Sequence, residues 1–341
     1  MSVAKRAGVV AGIAAGVTAG IAGTLYGTER AVVRGLRRRP DLDAGVLGPL
    51  VFDEARRLPS HDVGSIFTAS RGEGPTVLLS HGVTLASRVW VKQFAELPEQ
   101  GVRVVAFDHR GHGESSVGDT GHSIDNLGWD VRTVVEGLDL RDVVIVGHSM
   151  GGIAVEAFAI QHADVVRERV AGIVLLSTMA RTQVSNSRGL LAISEFAVGA
   201  FNLAGFMERP ELGTALARIG FGRNPQSSHV ELTRQLLASC PPETTRAATL
   251  ALLGLDFTDD LPKIDVPTVV ACGTRDRITP YPESRRIAEL IPGARLETYP
   301  DAGHMVMLER TEQFNELILD LVRGERVEHD VGSAPGEART A

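Results

Sequence analysis

The chain has 341 residues, 43% of them hydrophobic and 23% charged, the balance of an ordinary globular protein with one large domain or two smaller ones. A formal net charge of −7 and a pI of about 5.8 exclude an electrostatic case for nucleic-acid binding. The two cysteines, Cys240 and Cys272, lack metal-ligand spacing and read as buried thiols, so neither a disulfide nor a metal or cofactor site is expected.

Residues 1–28 form a Gly/Ala-rich hydrophobic leader, and 7–28 carry no charge, about the length of a bilayer-spanning helix. Gly8, Gly12, Gly16 and Gly20 recur every four residues, a spacing that lets membrane helices pack closely. Lys5 and Arg6 precede the stretch, and Arg30, Arg34, Arg37, Arg38 and Arg39 follow it. The heavier positive flank is C-terminal, so a spanning helix implies membrane association with a cytoplasmic catalytic domain. The same residues also fit a secretory signal peptide, a helix in a groove of the protein itself, or a disordered leader of a soluble cytoplasmic protein.

Residues 29–60, with Pro40, Pro49 and Pro59, read as a linker. Val63–Ala69 suits a first strand, and Thr76–Ser80 a short buried parallel one. Trp90–Leu97 reads as helix, Val102–Phe107 as strand and 124–138 as helix. An apolar run from Val143 enters Gly147-His148-Ser149-Met150-Gly151, a helix follows, and Val170–Ser177 is the next strand. Strand alternating with helix predicts an α/β fold, a mostly parallel sheet flanked by helices, over 61–180 and 262–323. Residues 181–261 show helical runs and no clear strand (Leu190–Met207, 229–239 and 243–255), which we read as a helical cap over the site. Strands return at Thr268–Gly273 and Leu296–Tyr299, a helix closes the domain over 309–323, and the polar residues 324–341 read as a disordered tail.

The strand–turn–helix setting makes Gly147-x-Ser149-x-Gly151 a nucleophile elbow. A serine hydroxyl is a weak nucleophile, so it needs a base, and the base needs an orienting group. In this topology both should lie at carboxyl ends of strands. His304, after the last strand, is the candidate base, and Asp276, after Thr268–Gly273, the candidate orienter. Asp301 is so near His304 in sequence that it reads as shaping its own loop. The oxyanion hole is expected from the backbone N–H groups of Met150 and Val83.

His81-Gly82, Asp108-x-Arg110-Gly-His112-Gly-x-Ser115, Gly147-His-Ser149-Met-Gly151-Gly, Gly273-x-x-Asp276 and Gly303-His304 together resemble the α/β-hydrolase superfamily, in its serine-nucleophile branch with a helical cap. The resemblance covers roughly 61–180 and 262–323; the cap corresponds in position only. Ser149 replaces the aspartate nucleophile of relatives that open epoxides or displace halide, and no tyrosine lies in the cap interval, which argues against that branch. The resemblance implies a cofactor-free serine hydrolase of small-molecule or lipid-like carboxylic esters. A perhydrolase of the haloperoxidase type and a C–C bond hydrolase use the same triad, and a non-catalytic binding module is the remote alternative.

Overall fold

Val143–His148, buried along its whole length, shows how the domain is layered. Val143 and Ile145 point into one apolar cluster, Val144 and Val146 into another. Such two-sided burial requires helices on both faces of a parallel sheet. The computed structural model describes residues 30–182 and 203–324. Its sheet comprises β1 (Glu54–Pro59), β2 (Ser65–Arg71), β3 (Thr76–Ser80), β4 (Arg103–Phe107), β5 (Val143–His148), β6 (Val170–Leu176), β7 (Thr268–Gly273) and β8 (Arg295–Tyr299), in the order β1-β2-β4-β3-β5-β6-β7-β8. The pairs β1–β2 and β2–β4 are antiparallel and the rest parallel.

One face is covered by the 3₁₀ turn Ser87–Trp90, the helix Val91–Glu96 and the helix Thr311–Arg323, through Trp90, Phe94, Phe314 and Ile318. The other packs the helices Ile124–Gly137 and Met150–Gln161 through Val131, Val134, Val155 and Phe158. Each fully buried Val or Leu contributes roughly 1.5–3 kcal/mol. The chain leaves β3 towards β4 on one side, whereas β5 connects to β6 on the other. A crevice therefore opens between the carboxyl ends of β3 and β5, where the loop 81–84 and Ser149 emerge.

Two expectations need correction. The 29–60 linker contains a helix over 30–37 and the edge strand β1. β1 has a single buried residue, Leu58, and exposes Arg56 and Arg57. Such a charged edge strand resists further pairing and carries no alternating apolar signal. The closing helix is also divided, into Val306–Glu309 and Thr311–Arg323. Helices Leu203–Met207, Pro210–Ala217, Ser227–Ser239 and Pro242–Leu252 occupy the described part of the 181–261 interval. The leader, the tail and residues 183–202 lie outside the described residues. Among those described, no helix is long and apolar enough to cross a membrane. Both cysteines are buried and free.

Arg110, 1% exposed, holds the loop after β4. Its Nε and Nη2 donate to Asp130 at 2.8 Å each, and its Nη1 donates to Asp62 at 3.0 Å. Removing one partner of a buried ion pair leaves uncompensated charge. Arg110→Ala is expected to cost about 3–5 kcal/mol of stability, measured by urea denaturation, and the loss should be equal in the presence and absence of an active-site inhibitor.

Candidate active site

Ser149 follows β5 directly, with φ 54° and ψ −120°, a conformation that costs a non-glycine residue about 1–3 kcal/mol. The surroundings hold it there. Its N–H donates to Leu176 O at 3.0 Å, and its carbonyl accepts from Thr178 Oγ1 at 2.9 Å. A Cβ on Gly147 would come within 2.5 Å of Gly151 O, and one on Gly151 would strike the Ser80 carbonyl. Only glycine at both positions lets β5, the helix Met150–Gln161 and β3 approach this closely. Met150 is the first residue of that helix, so its amide has no partner within the preceding turn.

Asp276 and His304 leave the neighbouring strands β7 and β8, and their side chains meet, His304 Nδ1 to Asp276 Oδ2, at 2.9 Å. Asp276 Oδ1 accepts the N–H groups of Ile278 (2.8 Å) and Thr279 (3.0 Å), and Oδ2 accepts Thr279 Oγ1 at 2.8 Å. Burial pushes the Asp276 carboxyl up, but the His304 charge, the His304 hydrogen bond and the two amides outweigh it and bring the group down to about 2. A carboxylate there requires the His304 proton on Nδ1, which leaves Nε2 as a lone-pair acceptor. Thr279 Oγ1 also lies 3.2 Å from Nδ1. Thr279 was not legible as a site residue, because a Thr three positions beyond an Asp is an ordinary turn feature. Asp301 pairs with Arg275 at 2.6 Å in its own loop.

Ser149 and His304 border one cavity of about 270 Å³, shared with Gly82, Val83, Thr84, Leu85, His148 and Met305. Among the described contacts, no hydrogen bond joins Ser149 to His304; catalytic hydrogen bonds often tighten only when substrate is bound. The outer wall comes from Leu203, Met207, Leu216, Leu237 and Ile278, and among the described residues no carboxylate, lysine or arginine lines the space. Two larger clefts, about 500 and 460 Å³, are bordered by none of Ser149, Asp276 and His304. Size alone therefore does not pick out the space that Ser149 and His304 share, which is the smaller, apolar one. Among the described residues, no cluster of His, Cys, Asp or Glu could hold a metal.

Three buried histidines support the site. Burial lowers His112 to about 3 and His81 to about 4, so both are neutral at ordinary pH. His112 Nε2 accepts the Thr84 N–H at 3.1 Å while its Nδ1 donates to Arg110 O at 3.0 Å. His81 donates from Nδ1 to Gly82 O at 2.8 Å and accepts the His109 N–H at 3.0 Å. The loop carrying Val83 is thereby gripped on both sides. Burial, followed by the His304 charge, holds His148 well below its usual value, and its Nε2 donates to His304 O at 3.0 Å. These histidines stood in the motifs, but their hydrogen-bond partners are distant in sequence.

Glu309 joins the two sides of the cavity. Its Oε1 accepts the Gly303 N–H and its Oε2 the Gly222 N–H, each at 2.7 Å. Burial raises it to about 7, against the opposing pull of the two amides.

A family model described as the alpha/beta hydrolase fold matches residues 75–311. A non-heme haloperoxidase of Rhodococcus erythropolis is 31% identical over 268 residues, 76% of this chain and 97% of that protein. A non-heme chloroperoxidase of Streptomyces lividans is 33% identical over 261 residues, 74% and 92% of the two chains. Among solved structures, the esterase EaEST of Exiguobacterium antarcticum superposes with a TM-score of 0.69 at 25% identity, over 79% of this chain and all of its own.

The raised Glu309 carboxyl fixes a sign. The folded state binds more protons than the unfolded chain between the ordinary carboxyl value of 4.5 and about 7, so the Glu309 contribution to stability falls as pH rises through that window. In Glu309→Gln that component should disappear, so the stability of the wild type relative to the variant, read from paired thermal melts, should fall as pH rises from 4.5 to about 7.

Proposed function

The chain belongs to the α/β-hydrolase family, and from that premise we propose that it is a serine hydrolase of carboxylic esters working through an acyl-enzyme. Ser149 is the nucleophile, His304 the base and Asp276 the group that orients it. The observation carrying this reading is the 2.9 Å Asp276–His304 contact at the edge of the cavity that Ser149 borders. With Nδ1 protonated, His304 Nε2 takes the Ser149 proton as Oγ attacks the acyl carbon, and returns it to the leaving alkoxide. Water activated by the same nitrogen then releases the acid. The Val83 and Met150 amides stabilise the tetrahedral oxyanion, a contribution of about 3 kcal/mol per donor.

The described apolar wall favours an uncharged acyl group. We read the helices between Leu203 and Leu252 as a cap that supplies this wall. A second reading, favoured by the haloperoxidase and chloroperoxidase relatives, is perhydrolysis. Hydrogen peroxide would then replace water in attacking the acyl-enzyme and leave as a peracid. We further propose that residues 7–28, uncharged and followed by five arginines, tether the enzyme to a membrane.

A fluorophosphonate should label the wild type covalently, with labelling lost in Ser149→Ala and reduced on the order of 10³–10⁴-fold in rate in Asp276→Asn. A folded wild type that stays unlabelled overturns the mechanism. Peracid formation from a carboxylic acid and peroxide, read by halide oxidation, separates the second reading. For the tether, full-length protein should sediment with membranes after a carbonate wash, and protein lacking residues 1–28 should remain in the supernatant.

A further inference from the structure

Residues 30–48 lie wholly before the family match, which begins at residue 75, yet they run over the outer wall of the catalytic cavity. Leu36, 3% exposed, belongs to the same apolar cluster as Ala217, Val230 and Leu236. Arg39 donates to Asn224 Oδ1 at 3.1 Å. Asp41 accepts the Ser228 N–H at 2.7 Å and the Ser228 hydroxyl at 2.6 Å, at the start of the helix Ser227–Ser239.

Asp43 is the junction. It is 8% exposed and accepts from Lys92 Nζ at 2.9 Å and from His229 Nε2 at 2.7 Å, while its own N–H donates to Gln226 Oε1 at 3.0 Å. Lys92 sits on the helix Val91–Glu96, packed on the sheet, and His229 on the helix Ser227–Ser239. Hydrogen bonds to an ionised carboxylate are among the stronger ones available. His229, Thr233 and Leu237 recur every four residues along one side of their helix. Thr233 Oγ1 donates to His229 O at 2.9 Å, and both Thr233 and Leu237 border the cavity that holds Ser149.

We propose that Asp43 is a positioning residue for substrate selection: it clasps the helix Ser227–Ser239 to the helix Val91–Glu96 and so sets how far Thr233 and Leu237 stand from Ser149. The segment 30–48 thereby fixes the acyl-chain length the cavity accepts. The inference rests on the ester-hydrolase reading for its substrate and on the clasp geometry for its mechanism. Loosening the clasp lets the wall retreat, which admits longer chains without altering the catalytic groups.

The test compares full-length wild type with Asp43→Asn and Asp43→Ala on p-nitrophenyl acetate and p-nitrophenyl octanoate. The octanoate-to-acetate ratio of kcat/KM should rise about tenfold in Asp43→Ala, through KM, with fluorophosphonate labelling of Ser149 within twofold of wild type. Equal scaling of both substrates, or an unchanged ratio, overturns the proposal. Amide hydrogen exchange supplies an arm independent of hydrolysis. Exchange over 229–239 should quicken at least tenfold in Asp43→Ala while that of the helix Ile124–Gly137 stays unchanged; unchanged exchange over 229–239 also overturns it. A wild type that fluorophosphonate does not label defeats the hydrolase reading, and the exchange arm still judges the clasp. Failure of both variants to fold assigns Asp43 to global stability and overturns the positioning role.

Discussion

The contact between Asp276 and His304 is the interaction on which the rest of the site depends. Their strands β7 and β8 are parallel neighbours, paired from Val269↔Arg295 to Gly273↔Tyr299, so both loops leave the same edge of the sheet. The carboxylate is satisfied by two amides and a hydroxyl from its own turn. It can therefore stay ionised while largely buried, which fixes the tautomer of His304 and directs Nε2 away from Asp276. Without that charge, the imidazole would be free to place its proton on either nitrogen.

Around this pair, burial is used to keep other groups uncharged. His81, His112 and His148 are all shifted downward, chiefly by burial. A neutral imidazole carries one donor and one acceptor, so His81 and His112 each accept one main-chain N–H and donate to a carbonyl. Protonation would convert the acceptor nitrogens of His81 and His112 into donors facing N–H groups and release the loop that carries Val83. The same low-dielectric surroundings that fix these tautomers would strengthen a hydrogen bond to a developing oxyanion.

The cavity depends on elements that are far apart along the chain. Its floor comes from the ends of β3 and β5, one side from the His304 loop and the outer wall from helices between Leu203 and Leu237. Glu309 ties the His304 loop to Gly222, His304 N–H reaches Gly220 O at 2.8 Å, and Asp43 ties the segment before the sheet to the helix Ser227–Ser239. Polar bonds thus hold the apolar space in shape.

Much of this was legible before any coordinates. Short apolar runs such as Thr76–Ser80 and Val143–Ile145 announce buried parallel strands, because both their faces must be covered. The Gly147-x-Ser149-x-Gly151 spacing announces the tight turn, since backbone approach there excludes a Cβ. β1 was missed because an exposed, arginine-bearing edge strand has almost no apolar alternation to read. Ser149, Asp276 and His304 are candidates by their positions after strands, but the hydrogen-bond partners of Thr279, His112, Glu309 and Asp43 cannot be read from the sequence. Each of those four acts through a hydrogen bond whose partner is chosen by packing. Local pattern is written in neighbouring residues, so the sequence determined strands, turns and the likeness to a hydrolase. Which distant donor meets which acceptor, and which protonation state results, is set only when the sheet order brings their loops together, and that belongs to the tertiary structure.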